Sequence, residues 1–380
     1  MHIAINGWFW NRPDTGSGQY VRRLTQALME TSPAERITLI VPHGWALDAL
    51  PKGVAVERVP LKGRGHLAKV HFEQQGFPQA VGRVGADLAH VPYWGGPLRS
   101  PAPVVLTIHD LIPLILPAYR GGVLARLYTG LAAASARGAA AILTDSQASR
   151  ADVLTHLGVP AERVHVVPLA VGEEYHPRRA DSDDEAVRRK YDLPPQFALY
   201  LGGYDVRKNV PTLLKAYTYV REGAGEQLPL VLAGRLPQKR SPRFTDMEKL
   251  LDEMALRDAV RPIGWVEEEE KPALYRLATC FVYPSRYEGF GLPVLEAMAC
   301  GTPVITSDAA SLPEIVGDAG FTLPPDDARG MAGAILAVLN QPDLAQTLKE
   351  RGLARAATFS WVRTAAQTWV VYRQVAARKG

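Results

Sequence analysis

The residues best suited to chemistry gather in SRYEGFGLPVLEAMACGTPVITSD, residues 285–308. Two carboxylates, Glu288 and Glu296, flank Gly289, Phe290, Gly291 and Leu292. The glycines permit a tight turn and Pro293 suits the first turn of a helix. A helix start directs unpaired N–H groups and the positive end of its dipole outward, an arrangement fit for a diphosphate. An ionised acid at the loop tip accepts hydrogen bonds from sugar hydroxyls, and one a turn into the helix can hold a ribose diol. On spacing alone the two acids are equally well read as solvated helix-start carboxylates favoured by the dipole.

A second constellation, LYLGGYDVRKNVPTLLKAY, ends a strand in Gly202 and Gly203 and sets Arg207 and Lys208 before the next helix. Arginine offers phosphate oxygens a planar fork and lysine a mobile point charge. By residue type alone such a pair is more often a solvated turn. Further strand ends carry Arg235, in LPLVLAGRLPQK, and Gly264, Trp265 and Val266, in RPIGWVEEEE. In the first half of the chain, His109 and Asp110 follow the apolar run PVVLTI, and Gly16 and Gly18 bracket Ser17 ahead of a helical pattern. A lone histidine is more often structural, and a bare GSG is weak.

Short apolar strands must position these loops. HIAIN, RITLIV, ADLAHV, APVVLTIHD, AAILTDS and VHVVPLA alternate with helical patterns in the first half. FALYLGG, LPLVLAG, AVRPIGW, TCFVYPS, PVITSD and AGFTLP do so in the second. That alternation predicts two parallel sheets, each covered on both faces, with chemistry at the strand-to-helix loops. The charged, proline-bearing stretch from about Ala170 to Gln196 reads as the boundary. Its Asp181, Asp183 and Asp184 read as solvated charge. Gln19 is expected to start the first helix. Two helical stretches close the chain, MAGAILAVLNQPDLAQTLKERGLARAA and SWVRTAAQTWVVYRQVAARK, and Trp361, Ala365, Thr368 and Tyr372 form the packing face of the last.

The 380 residues are too many for one small module, and 47% hydrophobic with 22% charged residues excludes wholesale disorder. A net charge of +4 is too slight for a nucleic-acid footprint. Cys280 and Cys300 read as buried apolar residues, and the start MHIAINGWFW lacks the pattern of a secretory signal, so the chain is expected in the cytoplasm. No zinc spacing and no DxD-like pair occurs. Trp8, Trp10, Trp45, Tyr93 and Trp94 fit either sugar stacking or core packing. Arg120, Arg126 and Arg137 mark a basic helical surface able to approach anionic lipid at the inner face of a membrane.

The run from Tyr283 to Asp308, with EGFGLPVLEAMACGTPVI intact, resembles the signature of glycosyltransferase family 4, the retaining GT-B glycosyltransferases. HDLIPL and RKN resemble its bacterial mannosyltransferase-like sub-group. The resemblance implies an α/β protein with the GT-B fold, two doubly wound Rossmann-like domains facing across an interdomain cleft. The expected domains are an acceptor-side one, 1–175, joined by a helix of about 360–380, and a donor-binding one, 176–359. It implies catalytic roles for His109, Arg207, Lys208 and Glu288. Donor contacts are implied for Gly16, Gly18, Gly203, Arg207, Lys208, Arg235, Val266, Glu288, Gly289, Phe290, Gly291, Leu292 and Glu296. Many family members carry arginine where this chain has Gly203, so the phosphate grip is expected to rest on Arg207 and Lys208.

The implied substrates are a nucleotide sugar and a hydroxyl acceptor, such as a glycan, a lipid-linked glycan or a small molecule, with no cofactor and no metal. Mannosyl transfer from GDP-mannose is the preferred reading. The alternatives are a UDP-glucose or other UDP-sugar transferase, and a non-catalytic nucleotide-sugar binding protein. A sugar-nucleotide 2-epimerase is disfavoured, because its arrangement of acids and histidines is not apparent.

Overall fold

The computed structural model describes residues 1–178, 184–224, 228–235 and 243–378. The chain forms two compact units, Met1–Leu169 with Ser360–Gly380, and Ala170–Phe359. The first is built on β1 (His2–Asn6), β2 (Arg36–Pro42), β3 (Ala55–Val59), β4 (Leu88–Val91), β5 (Val104–Thr107), β6 (Ala141–Thr144) and β7 (Val164–Val166). They pair in the order β3-β2-β1-β4-β5-β6-β7, all parallel. The second unit holds β8 (Ala198–Leu201), β9 (Leu230–Ala233), β10 (Val260–Gly264), β11 (Cys280–Tyr283), β12 (Val304–Ser307) and β13 (Phe321–Leu323). Their order is β10-β9-β8-β11-β12-β13, again all parallel.

Central strands such as β1, β4, β8 and β11 are buried along their whole length, which is why they read as unbroken apolar runs. Each sheet reverses its strand order once, between β1 and β4 and between β8 and β11. At such a reversal the helices on either side diverge to opposite faces, leaving a crevice beyond the strand ends. Cys280 and Cys300 are buried free thiols.

Four expectations need correction. β3 has no apolar run: it is an edge strand, paired only to β2, with Ala55 and Arg58 facing outward or partly so, and its AVERV pattern hides it. The first helix runs Gly16–Thr31, so the glycines form its first turn and Gln19 lies within it. The long tail stretch is two helices, Ala328–Asn340 and Pro342–Ala356, parted where Pro342 cannot continue the first. Asp184 is not free charge but a two-point partner of Arg276, at 2.6 and 2.9 Å, at the start of helix Asp184–Lys190. Asp181 and Asp183 lie outside the described residues, as do 379–380 of the expected closing helix.

That closing helix, Trp361–Ala377, packs on the first unit. Ala365, Thr368, Trp369 and Tyr372 are buried, and Trp361 partly so. Thr364 Oγ1 donates to the Pro168 carbonyl at 2.7 Å and Trp369 Nε1 to that of Leu28 at 3.3 Å. Trp8, Trp10 and Tyr93 are core residues, with Trp45 and Trp94 packed against the same core, so core packing rather than an open stacking face explains these aromatics.

Candidate functional site

In the second unit the loops after β8 and β11, the two strands at the order reversal, meet. After β8, a single 3-10 turn, Val206–Lys208, presents both cations, and Asn209 ends it in the left-handed conformation, φ 56°. Arg207 and Lys208 each place a nitrogen 2.7 Å from Glu288 Oε1. Ser285 Oγ donates to the same oxygen at 2.6 Å, and Lys208 also donates to the Tyr283 hydroxyl. The three charged side chains are 12% exposed, so water screens them little. Burial acts to raise the Glu288 carboxyl, but Lys208 and Arg207 outweigh it and hold it at about 2. Burial likewise draws Lys208 down, against the opposing pull of Glu288.

Gly291, φ 113°, caps helix Leu292–Ala299, with Pro293 in its first turn. A side chain at 291 would be strained by that backbone and would meet Leu312 at 2.9 Å. Ser311 Oγ fixes the turn by donating to the carbonyls of Glu288, at 3.0 Å, and Phe290, at 2.6 Å. Phe290 is buried, edge-on to Phe359, whereas Gly289 and Leu292 stay partly exposed. Further along, Glu296 is 8% exposed and accepts from the Tyr275 hydroxyl at 2.8 Å. Burial lifts its carboxyl to about 7, against Lys271 and the Tyr275 bond.

Gly203 takes the Tyr200 hydroxyl on its carbonyl. A Cβ on Gly234 would lie 2.0 Å from the Gly202 carbonyl oxygen, so the ends of β8 and β9 touch backbone to backbone. Arg235 is exposed, its guanidinium 5.1 Å from the Trp265 ring centre, while Val266 is buried.

In the first unit, Thr15 Oγ1 accepts from Gly18 N at 3.2 Å, capping the first helix. The Gly18 amide is thereby engaged in the cap. Glycine is required there because a Cβ would sit 1.9 Å from the Arg12 carbonyl oxygen, whereas nothing lies within 4 Å of a Cβ on exposed Gly16. His109 follows β5, its side chain 23% exposed, with Nδ1 2.7 Å from Asp145 Oδ2. Asp110 instead accepts from the Ile112 amide at 3.0 Å, so the histidine's carboxylate partner comes from 36 residues on rather than from its neighbour. A separate buried pair joins Lys69 and Glu73 at 3.5 Å.

Sequence reasoning missed Ser285, Tyr283, Ser311 and Asp145. Strand-end serines and tyrosines are too common to signal, and only the parallel pairing of β11 with β8, or β6 with β5, reveals what they address. Of the basic surface, Arg137 is tied to the Leu157 carbonyl at 3.0 Å. Arg120 and Arg126 are exposed beside Val123, Leu124 and Leu127. Among the described residues, no three metal-ligating side chains converge, and no helix is long and apolar enough to cross a membrane.

Residues 183–355 match the family described as glycosyl transferases group 1, and residues 15–175 match glycosyltransferase family 4. The O-antigen chain mannosyltransferase B of Escherichia coli is 37% identical over 270 residues, 71% of this chain and 70% of that protein. The serotype-specific mannosyltransferase WbdA of Escherichia coli is 27% identical over 96% of this chain, which spans about half of it, 47%. Among solved structures, the sucrose-phosphate synthase of Thermosynechococcus elongatus superposes with a TM-score of 0.77 over all of both chains at 24% identity. HepE of Anabaena, solved with UDP and glucose, gives 0.73 over 98% of this chain and 99% of HepE at 19% identity. At these identities the structures share the fold, the GT-B architecture of two parallel-sheet units.

Proposed function

We infer the reaction from one premise: the chain belongs to glycosyltransferase family 4, the glycosyl transferases group 1. It is a retaining GT-B enzyme that transfers a sugar from a nucleotide-sugar donor to a hydroxyl acceptor. The finer reading is ours. Arg207 and Lys208 neutralise the donor diphosphate and, with the amides at the start of helix Leu292–Ala299, stabilise charge that builds on it as the glycosidic bond breaks. Glu288 and the backbone of Gly289–Leu292 orient the sugar, Glu296 holds the ribose, and Gly203, Arg235 and Val266 lie on the nucleotide side. In the first unit, His109 meets the transferred sugar, and the Gly16–Gly18 turn borders donor or acceptor.

The observation that carries this reading is the convergence of Arg207, Lys208 and Glu288 at the β8/β11 reversal, beside a glycine-capped helix start. It also bears on mechanism. A carboxylate held at about 2 by two cations is a poor base and a poor nucleophile, so Glu288 suits neither role in a double displacement. A front-face substitution, in which a donor phosphate oxygen takes the acceptor proton, fits better.

Two donors compete. A mannosyl donor, which we propose to be GDP-mannose, is supported by the mannosyltransferases among the sequence relatives, and a UDP-sugar by the fold relative solved with UDP and glucose. Incubation with GDP-mannose, UDP-glucose and related donors, without metal, separates them by nucleoside diphosphate release. Release and transfer with one donor assigns it; donor binding without release or transfer to any acceptor would make the chain a binding protein. The acceptor is proposed to be a glycan hydroxyl, free or lipid-linked. We also propose peripheral membrane contact through Val123, Leu124 and Leu127 with Arg120 and Arg126. Co-sedimentation with anionic but not neutral vesicles is expected, and equal recovery with both would refute it.

A further inference from the structure

We propose that Asp145 is a positioning residue for His109, fixing which imidazole nitrogen faces the reaction; this rests on the reading of His109 as a group that meets the sugar. Asp145 lies in the turn that joins β6 to helix Gln147–Leu157, and it is 2% exposed. Its neighbours hold it in place. Ser146 caps the helix by accepting from the Ser149 amide at 3.0 Å, and Ser149 Oγ donates to the His109 carbonyl at 2.9 Å. One helix start therefore grips the histidine twice, by its backbone and, through Asp145 Oδ2 at 2.7 Å, by Nδ1. The Tyr20 ring stands edge-on to the imidazole at 4.7 Å. Tyr20 is in turn anchored through Thr107 and His90 to Tyr372, by hydrogen bonds of 3.0, 2.9 and 2.6 Å.

The chemical consequence follows from the inventory of the groups. An ionised carboxylate only accepts, so Nδ1 carries the proton and Nε2 is the nitrogen left to act. Nε2 is buried and has no side-chain hydrogen-bond partner. Burial pulls the imidazole down, whereas Asp145, Asp110 and the Pro92 carbonyl raise it, with a net upward shift. His90, on the neighbouring strand, is held neutral near 3 by burial and by His109 itself. Among the side chains, the paired carboxylate of Asp145 is the one that biases the ring toward the Nδ1–H tautomer.

Nitrogen NMR of the His109 ring in the full chain tests the hold directly. The wild type is expected in the Nδ1–H form with a midpoint above that of a free histidine. Asp145→Asn should lower the midpoint and populate the other tautomer, and Asp145→Glu should restore the original form in part. Turnover of Asp145→Asn should fall about tenfold with donor KM changed less than about twofold, and the same change on His109→Ala should cost nothing further. An unchanged ring state in Asp145→Asn, or an equal loss on the His109→Ala background, overturns the proposal. Full turnover in His109→Ala would instead remove the role of His109, while the ring spectra still judge what Asp145 does to it.

Discussion

Each unit sets a mostly buried lysine against a glutamate, and the two glutamates end in opposite electrostatic states. In the first unit, Lys69 and Glu73 are 3.5 Å apart, and Lys69 is enclosed by the rings of Phe9, Tyr93 and Tyr128, 4.9–5.2 Å from their centres. Burial dominates there: Glu73 is raised and Lys69 lowered, despite their mutual attraction. In the second unit, Glu288 meets two cations and a hydroxyl at contact distance and is held at about 2. One cation at a distance does not offset the desolvation of a carboxylate; two in contact do. The first pair is an enclosed packing feature, and the second keeps its carboxylate ionised at a strand-order reversal.

The contrast can be broken by substitution. The largest effect is expected at Glu288→Gln, which leaves the buried Arg207 and Lys208 with Asp205, 3.5 Å from the Arg207 guanidinium, as their remaining counter-charge; urea denaturation at pH 7 should show a loss of about 3 kcal/mol. Because the folded carboxyl is held below its ordinary range, this contribution is present above about pH 4.5 and fades as pH falls toward 2. Next is turnover in the Arg207→Ala, Lys208→Ala double variant, expected about 100-fold below wild type, or ~2.7 kcal/mol in barrier. Near-normal turnover there would remove the diphosphate assignment.

Glu296→Gln should run the other way and stabilise the protein at pH 8 by about 1–2 kcal/mol. The wild-type carboxyl, raised to about 7, costs stability as pH climbs from about 4.5 through 7, a cost glutamine avoids. A pH-independent difference between the two proteins would show that Glu296 is not held near 7. The smallest change is expected for Glu73→Gln, within about 1 kcal/mol of wild type at neutral pH, since burial already favours the uncharged carboxyl. A loss there as large as at Glu288 would erase the distinction between the pairs.

The strand-and-helix rhythm of both units was legible because parallel strands buried on both faces are near-continuous apolar runs. β3 escaped because an edge strand facing solvent needs no such run. In the donor-side loops, Glu288, Gly291, Arg207 and Lys208 stood out because glycines and charges at strand ends are chemically expressive. What brings them to one oxygen, the adjacency of β8 and β11 and the Ser285 hydroxyl, is a product of sheet order, which local sequence does not encode. Gly18 has a local need that its sequence context does not reveal: its missing Cβ permits a close approach to the Arg12 carbonyl, and its amide is bonded to the Thr15 cap. Asp145 went unnoticed because its partner, His109, is remote in the chain.

The contact between Gly202 and Gly234 has a bearing on re-engineering the donor side. A library that randomises position 234 discards nearly every member on steric grounds, since even one methyl there would overlap the carbonyl of the adjoining loop. Position 203 is open by comparison, its nearest obstacle being the Asp205 carboxylate, 3.2 Å from an added Cβ and paired with Arg207 at 3.5 Å. A small side chain at 203 has room to begin where one at 234 has none, provided Gly202 and Gly234 themselves stay unaltered.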